Sequence, residues 1–271
     1  MMIPESVAVF FSCIVGLLCG SFLNVCILRL PAGESILTPR SRCRHCRRAI
    51  PAFDNIPVLS WLILRGRCRH CGQEISRQYP LVEAATGALF AACVWHTGLH
   101  WQTLLDATMI FLLLGLAVMD ARTFLLPDAF TLGGLGAAIA LRVLQPSLSQ
   151  RISSLSQRIS VAEHTALAAM AAALLLLLTR WLYRWLRKHD GMGLGDVKLL
   201  AMIAAFLGLP LALLTLFLAV LAAAGISIAQ LVRGRAHAKT MLPFGSFLAA
   251  SGIAAVFIGR PLLHWYAGFF P

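Results

Sequence analysis

The sequence predicts an all-α membrane protein that crosses the bilayer several times. Hydrophobic residues make up 59% of its 271 residues and charged residues 13%. Typical soluble domains have about 45–50% and about 25%. The mean hydropathy is +0.80, so a soluble fold would lack the polar surface it needs. The same figures exclude collagen-like, disordered and disulfide-scaffold chains.

Eight apolar segments approach the length of about 20 residues that a bilayer-spanning helix needs. We therefore expect about eight transmembrane helices. The first carries Glu5 and lacks a basic leading region, so we do not expect it to be a cleaved signal peptide. The segments cover roughly 6–28, 80–98, 101–120, 128–145, 162–183, 196–209, 210–232 and 241–259.

Positive charge predicts the orientation of these segments. The chain has 23 Lys and Arg against 11 Asp and Glu, and ten of the Arg lie in residues 29–79. Lys and Arg are enriched in cytoplasmic loops, so this loop is predicted to be cytoplasmic and both termini to face outward. The excess of charge is thus an orientation signal, which makes membrane lipid an expected partner and nucleic acid an unexpected one. The predicted division is a first span at 1–28, a cytoplasmic domain at 29–79 and a transmembrane domain at 80–271.

Two Cys-x-x-Cys units lie in the predicted cytoplasmic loop, Cys43-Arg-His-Cys46 and Cys68-Arg-His-Cys71. Paired units at this separation are typical of tetrahedral zinc sites. Disulfides are the competing interpretation, but they seldom persist in a reducing cytoplasm. Four sulfur ligands leave no open coordination position, so the predicted zinc is structural.

The few acidic residues identify a candidate active site inside the membrane. An ionisable side chain at membrane depth is costly and indicates function. Asp196 follows the glycine-rich run Gly191-Met-Gly193-Leu-Gly195, and residues 199–232 carry no charge. Gly208-Leu-Pro210 splits that run and leaves 196–209 as a helix of only about 21 Å. This pattern predicts a short, interrupted helix that carries Asp196 into a polar pocket.

Asp120 ends an earlier predicted span at a matching depth, and Pro127 and Asp128 follow it. We expect Asp128 to cap the next helix. Two carboxylates in one pocket can share a proton. The ionised member then activates water, while the protonated member donates to the carbonyl under attack. The pair Asp120 and Asp196 therefore predicts an aspartyl protease, with proton or cation transport as the competing chemistry.

The chain resembles the type IV prepilin peptidases of bacteria, which share a Gly-x-Gly-Asp motif with other membrane aspartyl proteases. The motif here is Gly193-Leu-Gly195-Asp196. The likeness also includes the double Cys-x-x-Cys, and it extends in order over nearly the whole chain. The remaining matching stretches are 20–25, 55–60, 77–83, 120–128, 191–198 and 243–245.

The resemblance implies a bifunctional enzyme of the bacterial inner membrane. Members remove the short basic leader of prepilins and of type II secretion pseudopilins, then methylate the new N-terminal residue from S-adenosylmethionine. It implies a catalytic role for Asp120 and Asp196, with Gly193, Gly195 and Lys198 in the active-site loop. Glu83 is our candidate for contact with the leader. The active site and the zinc loop would both lie on the cytoplasmic side.

Two departures from the family pattern occur. Arg122 stands where many members have an acid, and the first cysteine unit lacks a frequent proline. Neither changes a cysteine or the aspartate pair. No glycine-rich nucleotide fingerprint is present, so the methyl-donor site is unknown. The alternatives are a peptidase without methyltransferase activity, a zinc-stabilised transporter that uses the two aspartates as a proton relay, and a non-catalytic scaffold. A tandem heptad at 147–160 is interpreted as an extracytoplasmic linker.

Overall fold

A computed structural model describes residues 4–145, 155–188, 192–233 and 242–269 of the chain. Within these ranges the regular structure is helical, apart from two isolated bridges. This confirms the predicted all-α class. The chain divides into two compact units, Met1–Gly115 and Leu116–Pro271. The first copy of the tandem heptad lies outside the described residues.

A short 3₁₀ turn at Ala52–Asn55 precedes the small helix α2, and the longer helices follow the predicted segments. Their bounds are α1 Glu5–Arg29, α2 Leu59–Ile63, α3 Gln78–Thr97, α4 Trp101–Thr123, α5 Asp128–Val143, α6 Leu155–Arg187, α7 Leu194–Leu207, α8 Leu209–Val232 and α9 Phe244–Ala267.

Five of these helices are long and apolar enough to span a membrane: α1, α4, α6, α8 and α9. Helix α5 has 16 residues and α7 has 14, which corresponds to about 24 Å and about 21 Å. Both are shorter than the apolar core of a bilayer, about 30 Å. Helix α3 has 20 residues but is less apolar and is not among the five. The protein therefore has several spanning helices, while the predicted number of eight stays a prediction.

Close packing of α1 on α3 organises the N-terminal unit. A Cβ atom at Gly16 would lie 2.7 Å from the carbonyl oxygen of Thr86, and one at Gly20 would lie 2.7 Å from Cα of Glu83. Gly16 and Gly20 form the small-x-x-x-small pattern that lets membrane helices approach closely. The next position on that face of α1 is Asn24, which therefore also faces α3.

Helix α7 is the centre of the C-terminal unit and packs against α5, α6, α8 and α9. Every residue from Leu199 to Phe206 is buried. A helix that is apolar on all sides suits such an enclosed position. The break after it occurs at Gly208, where the sequence predicts it.

Arg142 closes the C-terminal end of α7. Its guanidinium donates to the carbonyl oxygen of Ala205 at 3.0 Å and to that of Phe206. The last carbonyls of a helix have no partner within the helix, and leaving them unpaired is costly when water is excluded. Arg142 therefore supplies the hydrogen-bond donors for the last carbonyls of α7, a helix that is too short to reach both faces of a bilayer.

Candidate functional site

Asp120 lies in the last turns of α4 and is 5% exposed. Its Oδ2 atom accepts a hydrogen bond from the backbone N–H of Ser246 at 2.6 Å. The Ser246 hydroxyl lies 3.0 Å from the same oxygen and 2.9 Å from the carbonyl oxygen of Ala117. Ser246 is the third residue of α9, so the start of that helix fixes one oxygen of the Asp120 carboxylate.

Asp196 lies in the first turn of α7 and is 8% exposed. Gly193 precedes the helix as its N-cap residue, and its backbone N–H donates to the Asp196 carboxylate. This is the reciprocal half of a capping box, in which an acid at the third helical position binds the N-cap N–H. The glycine-rich run thus sets where Asp196 enters the core.

Leu126 lies beside both aspartate-bearing segments. A Cβ atom at Gly195 would lie 3.0 Å from Cβ and Cδ1 of Leu126. One at Gly245 would lie 3.0 Å from Cδ1 of Leu126 and 3.0 Å from Oδ2 of Asp120. Asp120 and Asp196 are close enough to interact electrostatically. The structure therefore brings the two sequence-predicted aspartates into one buried region.

Lys198 pairs with Asp128 through an Nζ–Oδ1 contact of 2.6 Å. The predicted cap at Asp128 is wrong, because Pro127 occupies the N-cap position of α5 and Asp128 is already its first helical residue. The side chain instead reaches α7. Since the two side chains are 34% and 59% exposed, the pair joins α5 to the active-site segment at its accessible edge.

The four predicted cysteine ligands lie together in the N-terminal unit, with all four sulfur atoms within 4.8 Å of one another. Cys43 Sγ and Cys71 Sγ are 3.8 Å apart. A tetrahedral zinc with Zn–S bonds of about 2.3 Å requires S···S edges of about 3.8 Å. The donor set therefore fits zinc, which would join the two cysteine units.

The two cysteine units share one backbone design. The N–H groups of Arg47 and Gly72 donate to the carbonyls of Cys43 and Cys68, each four residues earlier. Both donors have positive φ, 56° at Arg47 and 70° at Gly72. In the second unit, the N–H groups of Cys71 and His70 lower the pKa of the Cys68 thiol to about 7. A thiol so placed reaches the thiolate form that metals bind.

A bidentate ion pair fixes the second cysteine unit to the 3₁₀ turn. Arg69 Nε and Nη2 donate to the Asp54 carboxylate at 2.7 Å and 2.6 Å. These hydrogen bonds lower the pKa of Asp54. The Arg69 guanidinium also lies 5.6 Å from the Phe53 ring centroid. The linker between the two units is thereby held against the second of them.

Glu83 lies in α3, is 8% exposed, and accepts a hydrogen bond from the Val58 N–H at 2.7 Å. Val58 has φ 61° and ψ −50°, and the Leu59 N–H contacts the Pro57 carbonyl at 2.6 Å. This is a γ-turn of the rare, strained form. Glu83 thus stabilises a strained segment, and its predicted contact with a substrate leader stays a prediction.

Asn24 lies near Glu83 at the end of α1 and is 2% exposed. Its Nδ2 donates to the Tyr79 carbonyl at 3.0 Å, and its Oδ1 is buried without a hydrogen bond. Turning the amide over would set Oδ1 against another acceptor. A buried acceptor without a hydrogen bond costs about 1–3 kcal/mol. Asn24 is therefore a candidate functional residue.

Sequence reasoning missed Ser246, Leu126, Asn24 and Arg142 as residues of these sites. Asn24 did carry a signal, because it is an amide within an apolar segment. Ser246 directly follows the stretch 243–245, which is part of the family resemblance but carries no chemical group that indicates a role. The contacts of Leu126 and Arg142 depend on which helices pack together, and no local pattern encodes that.

Comparison with known proteins gives a consistent result along the chain. Residues 14–97 match the Bacterial Peptidase A24 N-terminal domain, and residues 107–228 match the Type IV leader peptidase family. No solved structure matches the chain significantly.

Three similar proteins share the description "Prepilin leader peptidase/N-methyltransferase". The Burkholderia pseudomallei (strain 1026b) protein is 34% identical over 96% of this chain and 88% of its own length. The Stutzerimonas stutzeri protein is 34% identical over 94% and 92%, and the Pseudomonas aeruginosa (PAO1) protein is 31% identical over 94% and 92%.

Proposed function

Because the chain belongs to the type IV leader peptidase family, we propose that it cleaves the leader of prepilins or pseudopilins with Asp120 and Asp196. It then methylates the new N-terminal amine. The observation that carries the peptidase proposal is the burial of both aspartates in one region of the C-terminal unit. Buried carboxylates within electrostatic range can hold one proton between them.

Hydrolysis requires one carboxylate to act as a base and the other as an acid. The ionised aspartate removes a proton from water, and the resulting hydroxide attacks the scissile carbonyl. The protonated aspartate donates to the developing oxyanion, and the proton then reaches the leaving amine. Burial strengthens these electrostatic interactions because water no longer screens them.

The hydrogen bonds around Asp120 and Asp196 support these acid and base roles. Ser246 holds one oxygen of Asp120, and the Gly193 N–H holds Asp196 at the start of α7. Each carboxylate is therefore fixed in place by backbone. Fixed orientation of catalytic groups lowers the entropic cost of reaching the transition state.

The family is bacterial, so the protein would lie in the inner membrane, and the arginine-rich segment 29–79 supports an orientation with this segment and the active site on the cytoplasmic side. Zinc held by Cys43, Cys46, Cys68 and Cys71 would join the two cysteine units and supply no reactive position. S-adenosylmethionine would supply the methyl group.

The test is leader removal from a purified prepilin by Asp120→Asn and Asp196→Asn, each made separately in the full chain. Both should lose at least about a thousandfold in rate, because loss of one member of a catalytic set removes most of its effect. Asp106→Asn is the matched control, since Asp106 is a buried aspartate earlier in α4. Normal processing by either dyad variant would refute the assignment.

Methyl transfer is measured separately, on a synthetic peptide that already has the mature N-terminus. If the wild-type enzyme removes leaders but leaves this peptide unmodified, the chain is a peptidase alone. Both Asp→Asn variants should still methylate it, because no bond to the leader remains to be cleaved.

A further inference from the structure

The N-terminal unit contains a cavity of about 800 Å³. It is lined by the ends of α1 and α3 and by the four-cysteine segment, all within residues 21–83. Sites for small ligands typically measure about 300–1,000 Å³, so its volume suits a ligand of nucleoside size together with a peptide end. The peptidase chemistry leaves this cavity without a function.

Two buried residues that line the cavity carry hydrogen-bond acceptors. Glu83 and Asn24 both line it, and they are 8% and 2% exposed. Glu83 carries a carboxylate, and Asn24 has the buried Oδ1 that no protein donor satisfies. An amine is a hydrogen-bond donor, so these two acceptors suit an amino group.

The outer side of the cavity is basic and partly aromatic. Arg42, Arg44 and Arg48 line it and are exposed, and guanidinium groups bind carboxylates. The aromatic residues Trp61 and Tyr79 also line it, and a purine can stack on aromatic rings. A ligand that carries both an amino-acid carboxylate and a purine could bind arginine with the first and stack on an aromatic residue with the second.

We propose that this cavity is the methyl-transfer site and that Glu83 receives the proton of the substrate amine. The inference rests on the proposed N-methyltransferase function. The amine nitrogen uses its lone pair to form a bond to the methyl carbon of the sulfonium donor. The carbon–sulfur bond breaks, its electron pair stays on sulfur as a neutral thioether, and one N–H proton passes to the Glu83 carboxylate.

The strained turn at Val58 links this role to the local structure. Because the Val58 N–H donates to Glu83 Oε2, the turn holds the carboxylate in one orientation. Glu83→Gln keeps an acceptor for that N–H through its amide oxygen but cannot take up a proton. This substitution therefore separates proton transfer from the support of the turn.

The first experiment measures binding of S-adenosylhomocysteine to the full-length, zinc-containing protein by calorimetry. Trp61→Leu and Arg48→Met should each raise the Kd at least tenfold, while Arg77→Met should leave it within twofold. Arg77 is an exposed arginine just before α3. Zinc content and the thermal unfolding midpoint verify that each variant is folded. Wild-type Kd values in both cavity variants would overturn the placement of the donor.

The second experiment measures methylation of the peptide with a mature N-terminus. Glu83→Gln should reduce the rate at least a hundredfold and change the Kd of S-adenosylhomocysteine less than twofold, and Glu83→Asp should restore part of the rate. Glu5→Gln, the same substitution at an exposed position of α1 outside the cavity, is the control and should keep the wild-type rate. Methylation by Glu83→Gln at the wild-type rate would overturn the role of Glu83. Leader cleavage, assayed in parallel, reports on the proposed peptidase independently of both results.

Discussion

The backbone N–H of Ser246 donates to Oδ2 of Asp120 across 2.6 Å, and the hydroxyl of the same serine lies 3.0 Å from that oxygen. The hydroxyl has a single hydrogen and also contacts the Ala117 carbonyl. It can donate to Asp120 when the carboxylate is ionised, and it can donate to Ala117 and accept from Asp120 when the carboxylate is protonated. The Ser246 hydroxyl can therefore form a hydrogen bond with Asp120 in either protonation state, without a movement of the Ser246 backbone.

Ser246→Ala should lower kcat for leader removal about tenfold with little change in KM. The substitution removes one hydrogen bond to a charged group, worth about 1.5 kcal/mol, and keeps the N–H contact. Ser246→Thr should recover most of the activity because it restores a hydroxyl. Steady-state kinetics on a detergent-solubilised prepilin measure both parameters.

The matched control for Ser246 is Ser251→Ala, a buried serine farther along α9. It should keep kcat near the wild-type value. A rise in KM at constant kcat for Ser246→Ala would contradict the positioning role, since it would indicate weaker substrate binding in place of a misplaced Asp120.

The two glycines of the Gly-x-Gly-Asp motif should respond differently to alanine. A Cβ atom at Gly195 would lie 3.0 Å from two atoms of Leu126, whereas one at Gly193 would lie 3.6 Å from Oδ2 of Asp196, an ordinary van der Waals distance. Gly195→Ala should reduce leader removal at least tenfold by displacing Leu126 and α7. Gly193→Ala should retain at least half of the activity.

The double variant Gly195→Ala/Leu126→Gly tests the cause, because glycine at position 126 removes both Cβ and Cδ1, the two atoms that the new methyl group would meet. Removing the side chain that the new methyl group meets should recover activity relative to Gly195→Ala alone. Equal losses in the single and double variants would show that Gly195 acts through something other than its contact with Leu126.

The sequence predicted the helices well because apolar segments of span length leave few alternatives to a helix. It also predicted the break at Gly208 and the meeting of Cys43, Cys46, Cys68 and Cys71. Each of these features is encoded locally, by composition or by the spacing of ligands. The number of spans was harder to predict, because α5 and α7 are short and their neighbours enclose much of α7.

The contacts around Asp120 were not predictable from local patterns. Ser246 lies 126 positions away in the chain, and only the contact between the start of α9 and the end of α4 brings them together. The expected cap at Asp128 failed because α5 begins one residue earlier than expected, with Pro127 at the N-cap position, and the Asp128 side chain pairs with Lys198, 70 positions away. A side chain that can cap its own helix can also pair with a distant charge, and tertiary packing decides between them.

Arg142→Met should destabilise the C-terminal unit by about 2–3 kcal/mol. The substitution keeps a long apolar side chain and removes the charged donor to Ala205 and Phe206, which leaves buried carbonyls unpaired. Thermal unfolding in detergent measures the loss, and Arg142→Lys should show a smaller one. Arg260→Met, at an exposed position of α9, is the control. Equal midpoints for wild type and Arg142→Met would contradict the capping role.

The two cysteine units should respond in opposite ways to exchange of their left-handed residues. Arg47 and Gly72 occupy the same place, four residues after the first cysteine of each unit, with φ of 56° and 70°. The left-handed conformation costs a non-glycine residue about 1–2 kcal/mol. Arg47→Gly should therefore tighten zinc binding several-fold, and Gly72→Arg should weaken it by a similar factor.

Competition with a chromophoric chelator measures the zinc affinity of each variant. Space does not limit the result at Gly72, because a Cβ atom there would meet nothing within 4 Å. Arg44→Gly is the control: it removes the same charge from the first unit at a residue without positive φ. If Arg44→Gly tightened zinc binding as much as Arg47→Gly, the gain would come from the lost charge, and the backbone explanation would fail.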